Sequence, residues 1–150
     1  MSRIEDAIKQ ESFKNEFSKA VVNLFYTSNY FQQVHLELFR SFDVTQPQFN
    51  ILRILRGQYP QAATVNLLIE RMLDKSSNAS RIVDRLESKG LVTRRQCKDD
   101  RRAVDVLISQ KGLDLLSKID VALSGVEKEI CELTDEESKQ LNYLLDKMRG

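Results

Sequence analysis

One row of polar side chains near the middle of the chain holds the groups most able to do chemistry: Ser77, Asn78, Arg81, Arg85 and Lys89. At about 100° per residue on a helix, Asn78, Arg81, Arg85 and Lys89 share one arc, with Ser77 beside it. Ala79, Val83 and Leu86 share another arc and are expected to face a core. A guanidinium offers two donors that match guanine, and a side-chain amide matches adenine. Hydroxyls at Ser76 or Ser77, where a helix is expected to start, and the helix N-terminus itself can hold phosphate. The chemistry implied is hydrogen-bonded reading of a duplex rather than the making of bonds.

Catalytic alternatives lack their parts. His35 is the sole histidine, Cys97 and Cys131 are the two cysteines, and the five glycines are scattered singly. Neither a zinc-protease motif, a four-cysteine metal site, a dinucleotide fingerprint nor a P-loop can be assembled from them. No nucleophile–base pair stands out, so no enzymatic activity, metal or cofactor is expected. The net charge of +1 over 150 residues hides a contrast. Between Lys75 and Arg102 lie nine basic residues and four acidic ones, a balance of +5, while the remaining 14 basic and 18 acidic residues leave −4. A basic middle between acidic ends is the footprint of a polyanion partner.

Elements must position that middle. Phe17, Val21, Leu24, Ser28, Phe31, His35, Leu38 and Phe42 recur at spacings of four and three, which predicts one helix from Phe13 to Phe42, about 45 Å long. Phe13, Phe25 and Phe39 widen its apolar stripe. Leu116, Ile119, Leu123, Val126 and Ile130 predict a second long helix, and Thr134 with Glu137 caps a last one bearing Leu141, Leu144, Leu145 and Met148. These two ends of the chain are expected to pack together, part of their surface lying between subunits. In between, Thr45 and Gln48 cap a helix expected to stop at Gly57, Thr64 caps a short one, and Ser76 or Ser77 starts a third that ends at Gly90. Leu91–Cys97 and the alternating Val104, Val106 and Ile108 form a hairpin with the polar tip Lys98-Asp99-Asp100-Arg101-Arg102, and Ser109 opens the next helix. The fold expected is mainly α with a small β-hairpin wing, a winged helix-turn-helix lobe over residues 43–109 in a single unit. Residues 1–42 and 110–150 supply dimerisation helices, with Phe13, Phe17, Val21, Leu123, Ile130, Leu141 and Leu145 at the seam. The hairpin tip, with Lys98, Arg101 and Arg102, can reach a neighbouring minor groove, and a carboxylate beside a guanidinium fixes its direction.

The stretch Asp100-Arg101-Arg102-Ala103-Val104-Asp105-Val106-Leu107-Ile108-Ser109, followed by Gly112, resembles the wing of the MarR family, the multiple-antibiotic-resistance regulators. Asp74-Lys75-Ser76-Ser77-Asn78-Ala79-Ser80-Arg81-Ile82-Val83-Asp84-Arg85-Leu86, continuing to Lys89-Gly90-Leu91-Val92, is similar to that family's recognition helix. Ile108-Ser109 replaces the family's usual Leu-Thr and keeps both an apolar residue and a capping hydroxyl. The resemblance implies a cytoplasmic homodimer that regulates transcription, most often as a repressor, on a pseudo-palindromic operator in double-stranded DNA. It also implies that Arg102 enters the minor groove with Asp100 as its orienting partner. Ser77, Asn78, Ser80, Arg81 and Arg85 would face the major groove, and Thr64 and Asn66 would approach phosphate. A small phenolic or other aromatic effector would lodge near Tyr26, Tyr30 and Phe31 and change the spacing of the lobes.

Blander readings stand beside these. A basic amphipathic helix taken alone is more often a solvated surface, and Arg94 and Arg95 alternate on a strand so that at most one can face a duplex. His35 reads as a polar residue satisfied in a dimer core, the two thiols as inert, and Ser28 as either packing or the wall of a small cavity. An architectural binder without sequence preference, or an interaction module using the winged lobe on protein, remains as a rival function. The first six residues lack an export signal, and no apolar run approaches the roughly 18 residues of a membrane span, so a cytosolic protein is expected.

Overall fold

The computed structural model describes residues 3–96, 104–130 and 132–150. Their order is α1 (Ile4–Ile8), α2 (Glu16–Ser41), α3 (Gln46–Gln58), β1 (Ala63–Thr64), α4 (Val65–Arg71), α5 (Ala79–Ser88), β2 (Val92–Gln96), β3 (Val104–Ile108), α6 (Gln110–Ile130) and α7 (Asp135–Arg149). The strands form an antiparallel sheet in the order β1-β3-β2, with Ala63 opposite Val106 and Arg95 opposite Asp105. This is a mainly helical winged helix-turn-helix fold.

Local chemistry accounts for most boundaries. Thr45 and Gln48 close a reciprocal capping box on α3, and Thr134 and Glu137 close another on α7. The Thr134 backbone N–H and hydroxyl both donate to Glu137 and hold its carboxyl below the usual carboxylate range. Thr64 accepts the Leu67 N–H at the start of α4. At the far end of α5, Gly90 adopts φ +70. Leu91 N–H reaches Leu86 O at 2.9 Å and Gly90 N–H reaches Glu87 O at 2.8 Å, the double closure that needs a residue free to turn left-handed. Ser109 accepts the Gly112 N–H and donates to Gly90 O, so one hydroxyl joins the exit of α5 to the start of α6.

Several expectations change. The long N-terminal helix begins at Glu16, capped by Asn15, which leaves Phe13 outside it and shortens it to 26 residues, about 39 Å. An unanticipated short helix, α1, precedes it, pinned by buried Ile4 and by a 2.7 Å ion pair from Glu5 to Lys19. Gly57 does not stop α3. The helix runs through it to Gln58, because the break is imposed by Pro60, which removes a donor and restricts the residue before it.

The core joins all three parts of the chain. Phe39 of α2, Phe49, Leu52 and Leu55 of α3, Val83 and Leu86 of α5, and Leu116, Ile119 and Leu123 of α6 belong to one buried cluster. The core therefore reaches past the expected 43–109 lobe on both sides. Arg56 grips Asp120 with two hydrogen bonds, the shorter 2.5 Å, and ties α3 to α6 beside it. Leu123, expected at a subunit seam, is buried within its own protomer instead, because it continues the helical face that Leu116 and Ile119 turn inward. The expected packing of the chain ends on each other is made in part within one protomer, where α2 meets α6 around Phe39, while α7 buries no residue there. Of the other expected seam residues, Phe17 and Leu141 are exposed, and Phe13, Val21, Ile130 and Leu145 are half-buried.

Gly112 marks the tightest approach in the lobe. A Cβ there would lie 2.4 Å from Leu91 O and 2.7 Å from Ile108 Cγ1. Alanine normally strengthens a helix by up to about 1 kcal/mol over glycine. Here the clash with a backbone carbonyl outweighs that gain, so Gly112→Ala is expected to cost about 1–3 kcal/mol. Urea denaturation should show a lower midpoint at an unchanged slope; a raised midpoint would refute the close approach.

Candidate nucleic-acid interface

The approach to α5 is built on Asp74. Its carboxylate accepts the Ser76 N–H at 2.9 Å, the Ser76 hydroxyl at 2.6 Å and the Ser77 hydroxyl at 2.5 Å. Those bonds, the Ser76 hydroxyl first, hold the Asp74 carboxyl at about 2 against an ordinary 3.8. Lys75 turns its ammonium back onto the last carbonyls of α4, Ile69 O at 2.9 Å and Glu70 O, where the helix dipole favours a cation. The turn between α4 and α5 is thus tied at both ends.

This arrangement corrects the start of α5. Neither Ser76 nor Ser77 caps it; Asn78 does, accepting the Arg81 N–H at 3.0 Å. Both serine hydroxyls are held in the turn by their bonds to Asp74, and the side chain that meets the first-turn N–H of α5 is Asn78. The amide oxygen of Asn78 is consequently occupied, as are the serine protons.

Charge on α5 is sorted by side. Arg81 and Arg85 are exposed, and neither guanidinium has a hydrogen bond or ion pair among the described residues. With Ser77, Asn78, Thr45 and Pro47 they line an open groove of about 340 Å³ between α5 and the start of α3. The acids lie on the other side. Asp84 meets Arg94 of β2 at 2.5 Å and Glu87 meets it at 3.7 Å, while the same guanidinium donates to Ser80 O at 3.1 Å. The Arg94 N–H also donates to Glu87. Arg94 therefore serves the fold, and Arg95, opposite Asp105 at 3.4 Å, is the more exposed of the pair. Lys89 leaves the expected polar arc, reaching the carboxylate of Asp43 at 2.9 Å and its carbonyl. Ser80 and Asn66 are exposed, and Thr64 is half-buried with its hydroxyl spent on capping.

The tip residues Lys98, Asp100, Arg101 and Arg102, together with Cys97 and Cys131, lie outside the described residues. Tyr26 lines a groove with α1, whereas Tyr30 and Phe31 meet edge to face at 5.7 Å. Phe31 continues through His35 and Phe39 to Phe49, a file of rings that runs into the core. His35 Nε2 is buried there without a partner among the described residues of the one protomer. Ser28 takes the second of its two readings, standing with Gln32, Gln46, Asn50 and Asp74 around a groove of about 430 Å³ between α2 and the lobe. Sequence reasoning missed Asp74 and Arg94. An acid two residues before a serine is a turn signature that identifies the first, while the second depends on tertiary placement.

Residues 44–104 match the model of the MarR family. Among solved structures, a MarR-like transcription regulator from Bacillus cereus ATCC 10987 is 25% identical, with a TM-score of 0.76 over 87% of this chain and 94% of that one. The organohalide-sensing RdhR transcriptional regulator in its 2,4-dichlorophenol-bound form is 22% identical, with a TM-score of 0.75 over 93% and 86%. MepR of S. aureus, in complex with DNA, is 21% identical, with a TM-score of 0.74 over 91% and 96%.

Proposed function

We propose that this chain is a DNA-binding transcription regulator of the MarR family, whose model its residues 44–104 match, and that it works in the cytoplasm as a homodimeric, sequence-specific repressor on a pseudo-palindromic operator. The observation that carries the reading is the sorting of charge on α5: Arg81 and Arg85 face outward unpaired, while Asp84 and Glu87 are drawn back by Arg94. A helix so arranged presents cations alone to a polyanion. Dimerisation is supported by the apolar side chains that α2, α6 and α7 leave in solvent, Phe17, Phe25, Val121, Leu141 and Leu144 among them. Such a surface on a lone protomer calls for a second copy.

Two lobes then meet half-sites about 34 Å apart, one helical turn of the duplex. If each subunit neutralises about four phosphates, log K falls against log salt with a slope near −7. Fluorescence anisotropy with operator and random duplexes tests both claims. A flat salt dependence overturns DNA binding, and equal affinity for the two duplexes replaces a specific repressor with an architectural protein.

Arg102 carries the wing contact in this scheme, with Asp100 orienting it and Lys98 and Arg101 beside them. Arg102→Ala is expected to weaken operator binding about 10-fold, the loss of one charged groove contact of roughly 1.4 kcal/mol, with an unchanged melting temperature. Undiminished affinity in a gel-shift titration removes the wing from the mechanism.

Release by a small phenolic or other aromatic ligand follows from linkage. A ligand that prefers a lobe spacing unable to span both half-sites lowers DNA affinity by its differential affinity for the two states. The dichlorophenol on RdhR supports that ligand class.

A further inference from the structure

We propose that Arg81 and Arg85 are the base-reading residues of α5 and that they read guanine, while Asn78, Ser76 and Ser77 hold the helix in place and read nothing. This rests on the sequence-specific DNA binding proposed above.

The inference comes from which hydrogen-bonding groups remain unspent. In the major groove, adenine shows an acceptor beside a donor, cytosine shows a donor, and guanine shows two acceptors, N7 and O6. Reading adenine takes a side chain that both accepts and donates, and Asn78 is the amide available at the start of α5. Its oxygen already accepts the Arg81 N–H. Reading cytosine takes a free carboxylate. Asp84 and Glu87 are both engaged by Arg94, and Asp74 accepts three hydrogen bonds from Ser76 and Ser77. The serine protons are spent in the same contacts. What α5 still offers outward is two guanidinium groups with no partner among the described residues, the hydroxyl of Ser80, and the NH2 of Asn78, a donor whose own oxygen is engaged in the cap. Each guanidinium carries two donors side by side, which complement the one base edge with two adjacent acceptors, whereas thymine shows a single acceptor beside a methyl group.

Spacing adds a second constraint. Residues four apart on a helix stand on one face, about 6 Å along the axis. That matches about two base-pair steps at roughly 3.4 Å each. Arg81 and Arg85 therefore read two guanines of the same half-site, about two steps apart. Asn78 acts indirectly, by fixing the first turn that carries Arg81.

The test begins with the full-length protein selecting sites from randomised duplexes, followed by the same selection with Arg81→Ala, Arg85→Ala and Asn78→Ser. Serine caps a helix as well as asparagine does and has no amide. The expected result is two fixed guanines per half-site, one lost with each arginine and both retained in Asn78→Ser. Replacing either guanine by a deaza analogue that lacks the N7 acceptor should lower wild-type affinity about 5- to 150-fold, the range of one bidentate base contact. Unchanged affinity for the analogue, or a base preference altered by Asn78→Ser, overturns the assignment. So does an equal loss on every sequence with a salt slope shallower by about one per arginine, which identifies phosphate contacts. Salt-independent or absent duplex binding by the wild type brings down the functional reading itself.

Discussion

Replacing Leu141 and Leu144 together by glutamate is expected to yield folded monomers that bind a full operator on the order of 10²- to 10⁴-fold more weakly than the wild type. The reasoning starts from burial. Leu141 and Leu144 are 45% and 47% exposed in the protomer, and α7 contributes nothing to the core of the lobe. Two glutamates there cost the protomer little, since glutamate is a good helix former and the capping box at Thr134 and Glu137 is untouched. In a dimer the same positions leave water. Each leucine, already about half-buried in the protomer, then contributes about 1 kcal/mol of further apolar burial, and each glutamate instead pays to bury a charge without a partner. Loss of the dimer removes the effective concentration with which the second lobe finds its half-site, while affinity for an isolated half-site stays as it was. Sedimentation equilibrium and anisotropy on full and half operators measure the two effects together. A variant that remains dimeric places the subunit seam elsewhere, and a monomer with full operator affinity refutes binding by pairs of lobes.

How far the sequence foretold this architecture depended on the range of the forces involved. Capping boxes at Thr45 and Thr134 and the single cap at Thr64 are local, and each is where the residues placed it. The hairpin strands were legible as well, but not their register, which sets Arg95 beside Asp105. Elements too short to show a period escaped, namely the five residues of α1 and the two of β1. The start of α5 was misplaced for a different reason. Ser76, Ser77 and Asn78 are all competent caps, and residue type alone does not decide among them; Asn78 is the one that accepts the first-turn N–H. In the candidate site, the outward arc of Arg81 and Arg85 follows from periodicity alone. Lys89 and Arg94 were beyond reach, because their partners come from the α2–α3 turn and from another element, at separations of 46 residues for Lys89 to Asp43 and 14 for Arg94 to Ser80. The aromatic file through His35 was legible as a seam but not as a route into the lobe, since helical spacing does not say which face the lobe covers.

Arg94→Ala is expected to weaken operator binding roughly 30-fold while costing the fold only about 1 kcal/mol, the scale of a surface ion pair. Arg94 is 27% exposed, and its partners Asp84 and Glu87 are 59% and 43% exposed, so solvent screens the pair and its contribution to folding is small. Binding is another matter. Removing the guanidinium frees two carboxylates on the helix that approaches the phosphates, and each adds repulsion on the order of 1 kcal/mol at a surface dielectric. It also releases Ser80 O, which the guanidinium ties to the base of the wing, while the backbone N–H of residue 94 keeps its bond to Glu87. Those two causes separate in a single further variant. Asp84→Asn and Glu87→Gln added to Arg94→Ala remove the repulsion without rebuilding the brace. Recovery of affinity to within a few-fold of wild type in the triple variant assigns the effect to charge. Affinity as low as that of Arg94→Ala alone assigns it to a displaced wing, and it overturns the view that Arg94 acts by keeping the acids of α5 away from the duplex.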